Sequence, residues 1–378
     1  MLECRTVTTA EEIRALEEPW RALALRSPSA SVFLTWEWIN AWCEVYADRC
    51  RLHCLTAWDE RGELCGIAPL AFGGGPPLPA GCLGFISSGT RSWGVYMDFL
   101  VAPERPEEVL RALLSHWAAE PKGRKTLWLV RMEADSPLLA LLPQVVAPLG
   151  LNLTICPDRP CVRGPLPASV DEFVAAMPSK SQRKRLRRYE RKLEEEGLEL
   201  KIRSFSREPD IAPLLEALAA HKGARAEHFA VGSNFADPAF ARCLGDFIRR
   251  LQAQDWFVGL MGEINGLPVA TRIGAVYRGK LYSYLASFDE RYAEHGLAHL
   301  LLLPFVGEGI ARGATQMDFM SGDQSHKTAY LAGRGQTVTV IVCDSSLLGQ
   351  WPLLKLLSSR ALRHTAKRLL KRERASSE

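Results

Sequence analysis

The sequence has no apolar run long enough to cross a lipid bilayer. The best candidate, residues 296–311, is interrupted by Pro304 and by several glycines and a glutamate, whereas a membrane-spanning helix needs about 20 apolar residues in a row. The first residues, Met1-Leu-Glu-Cys-Arg5, also lack the pattern of a secretory signal. We therefore expect a soluble, cytoplasmic protein without a transmembrane segment.

Several catalytic patterns are missing as well. The sequence contains no Ser-His-Asp order, no HExxH and no GxxxxGK(S/T), so hydrolase, metalloprotease and P-loop kinase functions have no residue support. The ten cysteines include no CxxC spacing and are typical of buried free thiols in a reducing compartment. Cys50 and Cys54 resemble half of a zinc site, but no second cluster accompanies them, and we predict no bound metal.

Length and composition favour two domains. A chain of 378 residues with 47% hydrophobic content exceeds one ordinary core. We predict domains 1–165 and 166–378, with residues 162–167 as a stiff Pro-rich connector. Helices and hairpins recur in both halves, and Met97-Asp-Phe-Leu resembles Met317-Asp-Phe-Met, which suggests a duplicated mixed α/β unit.

Residues 256–330 form the most informative stretch. Asn265-Gly266 separates two hydrophobic runs, 256–264 and 267–277, and this pair is a strong hairpin signal. Arg278-Gly279 predicts a second turn before a third strand at 280–288. A polar connection, residues 289–295, then leads into an apolar helix that starts at Gly296 and ends near Gly313.

The junction between that strand and helix is a candidate phosphate site. Backbone N–H groups and the helix dipole favour an anion at a helix start, and Gly296 would let a ligand approach the backbone closely. A glycine that simply begins a buried helix would give the same pattern. After the helix, a short strand at 316–320 runs into residues 321–330, which combine hydroxyl, carboxylate, imidazole and ammonium groups.

This order of elements resembles the GNAT superfamily, in particular its CelD-like proteins and FemABX peptidyltransferases. The residues that carry the resemblance are Asp318-Phe319, Gly322-Asp323 and Lys327, together with residues 33–42 (FLTWEWINAW) and 66–70 (GIAPL) in the first half. The chain departs from the family at Ala293, where Gln or Arg is usual, and at His326, where an aromatic residue is frequent.

The resemblance implies two tandem GNAT-like domains, each with a mostly antiparallel mixed sheet flanked by helices, and a donor site only in the second. It implies acyl-coenzyme A as co-substrate, without a metal. Backbone N–H groups near Ser287 and Phe288 would stabilise the oxyanion. The predicted donor-binding residues are Ser287, Phe288, His295, Gly296, Leu297 and Ala298.

The catalytic candidates lie in the polar stretch that follows the last strand. Asp323 and His326 are candidate bases, with Glu308 a weaker one, although a single loop histidine is more often structural. Lys327 could hold an acceptor's carboxylate or phosphate, or stabilise charge during transfer, and its alternative role is a salt bridge with Asp323. Predicted substrate contacts are Arg183, Arg187, Tyr284 and Tyr330.

Basic residues are concentrated in residues 179–196 and in a C-terminal run, residues 355–374. The first run predicts a helix that is positive at its start and negative at its end, against the favoured dipole arrangement. Either a solvated face with Arg191 and Glu195 paired, or a phosphate-rich ligand, would explain it. The second run predicts a packing helix with a frayed end.

We therefore expect an N-acyltransferase that moves an acyl group from acyl-coenzyme A to an amine of a small-molecule, envelope or polysaccharide-related acceptor by direct attack. The alternative is an aminoacyl-tRNA-dependent transferase of the FemABX kind, in which residues 180–192 bind tRNA. A second alternative is a non-catalytic accessory protein that keeps the fold as a binding module.

Overall fold

The computed structural model describes residues 2–73, 81–87, 94–120, 126–228 and 234–344. The predicted C-terminal helix at 355–374 lies outside these residues. The first part of the chain contains, in order, β1 (Glu3–Val7), α1 (Ala10–Ala15), α2 (Glu17–Arg26), α3 (Trp36–Tyr46), β2 (Arg51–Leu52), β3 (Cys54–Trp58), β4 (Leu64–Ala68), β5 (Leu70–Phe72), β6 (Leu83–Phe85), β7 (Leu100–Val101), α4 (Pro106–Ala119), β8 (Thr126–Glu133), α5 (Pro137–Val146) and β9 (Asn152–Pro165).

The second part begins after β9. It contains, in order, α6 (Val170–Ala176), α7 (Lys180–Glu195), β10 (Lys201–Ser204), α8 (Ala212–His228), α9 (Pro238–Ala253), β11 (Phe257–Ile264), β12 (Leu267–Tyr277), β13 (Lys280–Phe288), α10 (Leu297–Leu300), α11 (Leu302–Ala311), β14 (Gln316–Ser321), α12 (Ser325–Thr328) and β15 (Arg334–Cys343). The basic helix α7 begins after its N-cap Ser179, as the sequence predicts.

Two mixed or antiparallel sheets carry the helices, which confirms the predicted α/β class. One sheet has four strands in the order β1-β3-β4-β7, and the other has eleven in the order β10-β11-β12-β13-β14-β9-β15-β8-β6-β5-β2. Strands from both parts of the chain meet in the larger sheet, because β15 pairs with β9 on one edge and with β8 on the other. The boundary at 165/166 remains a prediction.

The connector expected at 162–167 is wrong for residues 162–165, which belong to β9. This strand pairs with β14 and with β15, although prolines are usually excluded from central strands. Pro157 and Pro160 flank a register shift opposite β15, between Gln336 and Val338. An irregular ladder needs fewer N–H donors at that point, so the prolines do not end the strand.

The two predicted hairpins are confirmed, and their turns explain them. Asn265 and Gly266 have φ of 52° and 75°, and Arg278 and Gly279 have φ of 51° and 72°. Positive φ at both central residues is the type I′ signature, whose twist matches that of antiparallel strands. These turns fix the register of β11, β12 and β13 against one another.

A bulge in β13 depends on Gly274 in β12. Gly274 pairs with Ser283, and Ile273 pairs with Leu285, so Tyr284 is an extra residue on the β13 side. A Cβ added at Gly274 would lie 1.9 Å from the carbonyl oxygen of Tyr282. Only glycine admits this approach of the two backbones, and the bulge bends β13 at its midpoint.

We expect Gly274→Ala to destabilise the protein by about 3 kcal/mol or more, because a backbone oxygen cannot yield as a side chain can. Chemical unfolding followed by circular dichroism measures this change. The matched control is Gly223→Ala in α8, where an added Cβ meets nothing within 4 Å. Alanine should stabilise that helix by about 0.5–1 kcal/mol, and an equal effect of both substitutions would contradict the account.

Candidate functional site

β13 and β14 are parallel neighbours for only three residues and then separate. Their pairing runs from Lys280 opposite Gln316 to Tyr282 opposite Asp318. Past this point β13 is bent by its bulge, and the register of β14 against β9 shifts between Asp318 and Ser321. From Ser283 onwards β13 makes no ladder pairs with β14, and we call the space between the two strands the gap. A bulge on each side accounts for it, since bulges bend strands.

The start of α10 lies close to the gap but is covered by α7. Gly296 has φ of 60°, and a Cβ added there would lie 2.2 Å from the ring of Tyr189. The glycine therefore lets α7 pack against this turn. His295 is buried, with Nε2 at 2.8 Å from Glu196 Oε2, and Leu297 is fully buried in the core.

Ser287 and Phe288 lie at the far end of β13, where α8 packs. The Ser287 hydroxyl is 2.7 Å from Thr271 Oγ1 and 3.1 Å from His221 Nδ1. Arg225 lies over the Phe288 ring at 5.6 Å from its centroid. Their side chains are thus held by the sheet and by α8, which leaves the backbone of this strand end as the group available for a donor.

The predicted catalytic residues lie together after β14. Lys327 on α12 donates through Nζ to the Ser321 carbonyl oxygen at 2.6 Å, in place of the ion pair with Asp323 considered from the sequence. Burial lowers the pKa of Lys327. Partial burial, then the positive charges of Lys327, Arg272 and Arg225, lower the pKa of His326. Asp323 is exposed.

The weaker candidate base, Glu308, lies on α11 away from these groups. Its carboxylate accepts a hydrogen bond from Ser206 and is 3.7 Å from Arg312. These contacts stabilise the packing of α11 on the sheet.

The four predicted substrate contacts divide into two kinds. Tyr284 packs with Phe33 and Trp38, at ring distances of 5.5 and 6.2 Å, and Arg183 donates to the Met177 carbonyl oxygen at the end of α6. Both are occupied by structural contacts. Arg187 is exposed on α7, and Tyr330 is buried beside the gap.

Tyr330 belongs to a polar network that the sequence did not reveal. Its hydroxyl lies 2.7 Å from His299 Nδ1 and accepts a hydrogen bond from Gln182 Nε2 at 2.9 Å. Burial, with Arg272, His326 and Arg185, lowers the pKa of His299 to about 4. The only sequence signal for the network is an arginine, Arg272, in the middle of an otherwise apolar strand.

A second cavity of about 640 Å³ opens at the other end of β13 and β14, between the two parts of the chain. Its charged lining residues are Asp98, Glu133, Asp135, Arg163, Lys280 and Arg334. Burial raises the pKa of Glu133, and Arg163 bonds both Glu133 and Asp135. We call this cavity the cleft.

Tyr96 links the cleft to the gap. Its hydroxyl donates to Asp318 Oδ1 at 2.8 Å, and Asp318 is the β14 residue where the strands separate. Burial raises the pKa of Asp318, and its Oδ2 has no hydrogen-bond partner among the described residues. The acidic groups of the cleft therefore reach the narrow end of the gap.

Three further features limit the kinds of chemistry that the site can support. In the described part of the chain, no group of three or more His, Cys, Asp or Glu side chains is arranged to hold a metal ion. No helix there is both long and apolar enough to cross a membrane. All ten cysteines are free thiols, and only Cys4 and Cys50 are partly accessible.

The buried carboxyl group of Asp98, in the cleft, makes the stability of the folded protein depend on pH. Burial raises its pKa from 3.8 to about 7, although Ser136 Oγ donates to it at 2.5 Å. The folded state therefore holds this proton more tightly than the unfolded chain does. The protonated carboxyl group stabilises the folded state fully below pH 3.8. As the pH rises towards 7, the free energy of unfolding falls by about 4 kcal/mol at most.

We expect Asp98→Asn to remove this loss, so that the variant gains stability relative to wild type between pH 4 and pH 8. Ser136→Ala should steepen the loss, because that hydroxyl favours the charged carboxylate. Urea unfolding at several pH values measures both effects. Parallel stability profiles for wild type and Asp98→Asn would contradict the prediction.

Comparison with known proteins agrees with this geometry. A family model described as an acetyltransferase (GNAT) domain matches residues 180–328, which include α7, the gap and α12. Comparison with curated proteins found no significant match.

Among solved structures, FemX is similar with a TM-score of 0.59 at 13% identity, covering 88% of this chain and 96% of its own. L-PGS from Bacillus licheniformis has a TM-score of 0.51 at 14% identity, covering 93% and 96%. A tandem GNAT protein from the clavulanic acid biosynthesis pathway has a TM-score of 0.50 at 12% identity, covering 92% and 100%. At such identities the likeness shows the fold. The chain therefore has the fold of FemX and of the tandem GNAT protein, and residues 180–328 are similar to a GNAT acetyltransferase domain.

Proposed function

We propose that the chain moves an acyl group from acyl-coenzyme A to an amine of a small-molecule, envelope or polysaccharide-related acceptor, by direct attack in the gap. The separation of β13 from β14 after Tyr282 and Asp318 is the observation that carries this proposal. It provides a strand edge that makes no ladder bonds to its neighbour, and backbone N–H groups on such an edge can stabilise an oxyanion.

Residues on three sides of the gap have the required roles in this proposal. Backbone groups at Ser287 and Phe288 face the acyl carbon, and residues 295–298 hold the donor's phosphates after the Tyr189 ring moves aside. Asp323 or His326 accepts the proton of the attacking ammonium, and Lys327 holds a carboxylate or phosphate of the acceptor or stabilises charge during transfer. Direct transfer needs this alignment and no covalent enzyme intermediate.

The acceptor would enter from the cleft. Three acidic side chains, Asp98, Glu133 and Asp135, and three basic ones, Arg163, Lys280 and Arg334, line the cleft, so it offers charges of both signs to a polar acceptor. The buried Tyr96–Asp318 hydrogen bond lies between the cleft and the gap. The cytoplasm, where coenzyme A is available, is the location we propose.

We expect calorimetry to detect binding of acetyl-coenzyme A or of a longer acyl-coenzyme A to the full chain. With a responsive amine, Lys327→Gln should lower kcat/KM by about 100-fold or more, as expected for loss of a group that stabilises charge in the transition state. The control is Lys201→Gln, on an exposed position of β10, which should leave the rate unchanged. A chain that binds no coenzyme would contradict the proposal and favour a non-catalytic accessory protein.

One observation favours the aminoacyl-tRNA-dependent alternative. The outer face of α7 carries Lys184, Arg185, Arg187, Arg188 and Arg191, all exposed. In the described part of the chain none of them forms an ion pair, whereas Lys192 is 2.7 Å from Glu294. The Arg191–Glu195 pair considered from the sequence is not formed. Unpaired cations along one helix face suit a phosphate backbone.

If this alternative holds, the chain binds aminoacyl-tRNA and the affinity falls steeply with salt. Replacing Arg187, Arg188 and Arg191 with glutamine should then reduce the slope of log K against log salt by about 2–3. Filter binding at several salt concentrations measures this slope.

The control for net charge replaces three exposed arginines of the first part of the chain, Arg5, Arg14 and Arg61, with glutamine. It should leave the slope unchanged if α7 is the contact surface. Equal slopes for wild type and the α7 variant would exclude α7 as the nucleic-acid contact.

A further inference from the structure

Arg272 on β12 is a buried cation that has no carboxylate partner among the residues that the structure describes. Only 8% of the residue is exposed. Its Nη1 donates to Ser283 Oγ at 2.8 Å and its Nη2 to the Ala298 carbonyl oxygen at 2.7 Å, so the guanidinium lies between β13 and the start of α10. Its buried Nε has no hydrogen-bond partner among the described residues.

This arrangement is costly for the protein on its own. A buried charge without a counter-charge costs several kcal/mol, and hydrogen bonds to neutral groups offset only part of it. Arg163 in the same sheet shows the usual solution, because it bonds the carboxylates of Glu133 and Asp135. Arg272 has two neutral partners, and its guanidinium carbon lies 5.8 Å from the centroid of the Phe305 ring.

The ionisable groups around Arg272 are basic side chains as well. Burial, then Arg225 and Arg272, lower the pKa of Lys222 on α8. Arg272 also lowers the pKa of both His299 and His326. Lys222 has no ion pair in the described part of the chain. Arg272 thus acts electrostatically on three other basic side chains, from α8, α10 and α12, and it is itself held between β13 and the start of α10.

We propose that Arg272, together with Lys222, His299 and His326, binds a carboxylate or phosphate oxyanion carried by one of the two substrates in the gap. The guanidinium supplies its free Nε–H and remaining Nη–H groups, and planar bidentate contact with such a group is the strongest pairing that arginine makes. Ser283 and Ala298 fix the orientation of the guanidinium in advance. This inference rests on the proposed function, because it uses the gap as the substrate site.

Binding of simple oxyanions tests the site without acyl transfer. We expect inorganic phosphate, pyrophosphate or succinate to bind the full chain and to raise its Tm, since a ligand of the folded state stabilises it. Arg272→Gln should weaken that binding by about tenfold or more. Arg272→Lys keeps the positive charge but loses the forked N–H donors of the guanidinium, so this variant should bind oxyanions with intermediate affinity.

Two further variants keep the test sound. Arg278→Gln removes the same charge at the opposite end of β12 and β13, where its side chain bonds the Ser27 carbonyl oxygen, and it should bind oxyanions as wild type does. If Arg272→Gln does not fold, Lys222→Gln is used instead. Lys222 is a partly buried residue of α8, and we expect its substitution to cause a smaller loss of oxyanion affinity. Equal binding by the gap variants and wild type, or no binding of any probe, would overturn the proposal.

The histidines provide a second readout. A bound oxyanion should raise the pKa of His299 from about 4, which imidazole NMR signals report directly. Competition then identifies the source: displacement of the oxyanion by free coenzyme A assigns the site to the donor's phosphates, and retention assigns it to the acceptor or the acyl group. A failed acyl-transfer assay alongside intact oxyanion binding would reject the proposed function and keep the site.

Discussion

Pairing along both edges of β9 joins the two parts of the chain into one sheet. On one side β9 holds β14, and on the other it holds β15, which in turn pairs with β8. The gap depends on this arrangement, because β14 can separate from β13 only while its other edge remains attached. The cleft depends on it too, since β9 and β14 contribute one wall and residues from the first part of the chain the other.

The two ends of β13 and β14 differ in charge. At the cleft, the carboxyl groups of Asp98, Glu133 and Asp318 have raised pKa values because they are buried. At the gap, the charge of Arg272 lowers the pKa of Lys222, His299 and His326. A short length of sheet therefore separates a cleft lined by both acids and bases from the Arg272 cation at the gap, with the Tyr96–Asp318 hydrogen bond between them.

Sequence reasoning succeeded where structure is set by neighbours in the chain. Asn265-Gly266 and Arg278-Gly279 specify their turns locally, and Ser179 begins α7 by local capping. Sequence reasoning failed where residues that are distant in the chain determine the local structure. Gly296 is packed against the ring of Tyr189, more than 100 positions away. Pro160 stays in β9 because the register of β15 shifts opposite it. Arg272 became a candidate only when the fold showed that no acid accompanies it.

The place of β15 in the sheet also governs how the chain can assemble on the ribosome. β8 and β9 are complete by residue 165, but the strand that lies between them, Arg334–Cys343, emerges last among the described elements. Until then each has an unpaired edge, and such edges can pair with other chains. Pro157 and Pro160 carry no N–H donor, so the edge of β9 that waits for β15 is a poor template for a foreign strand.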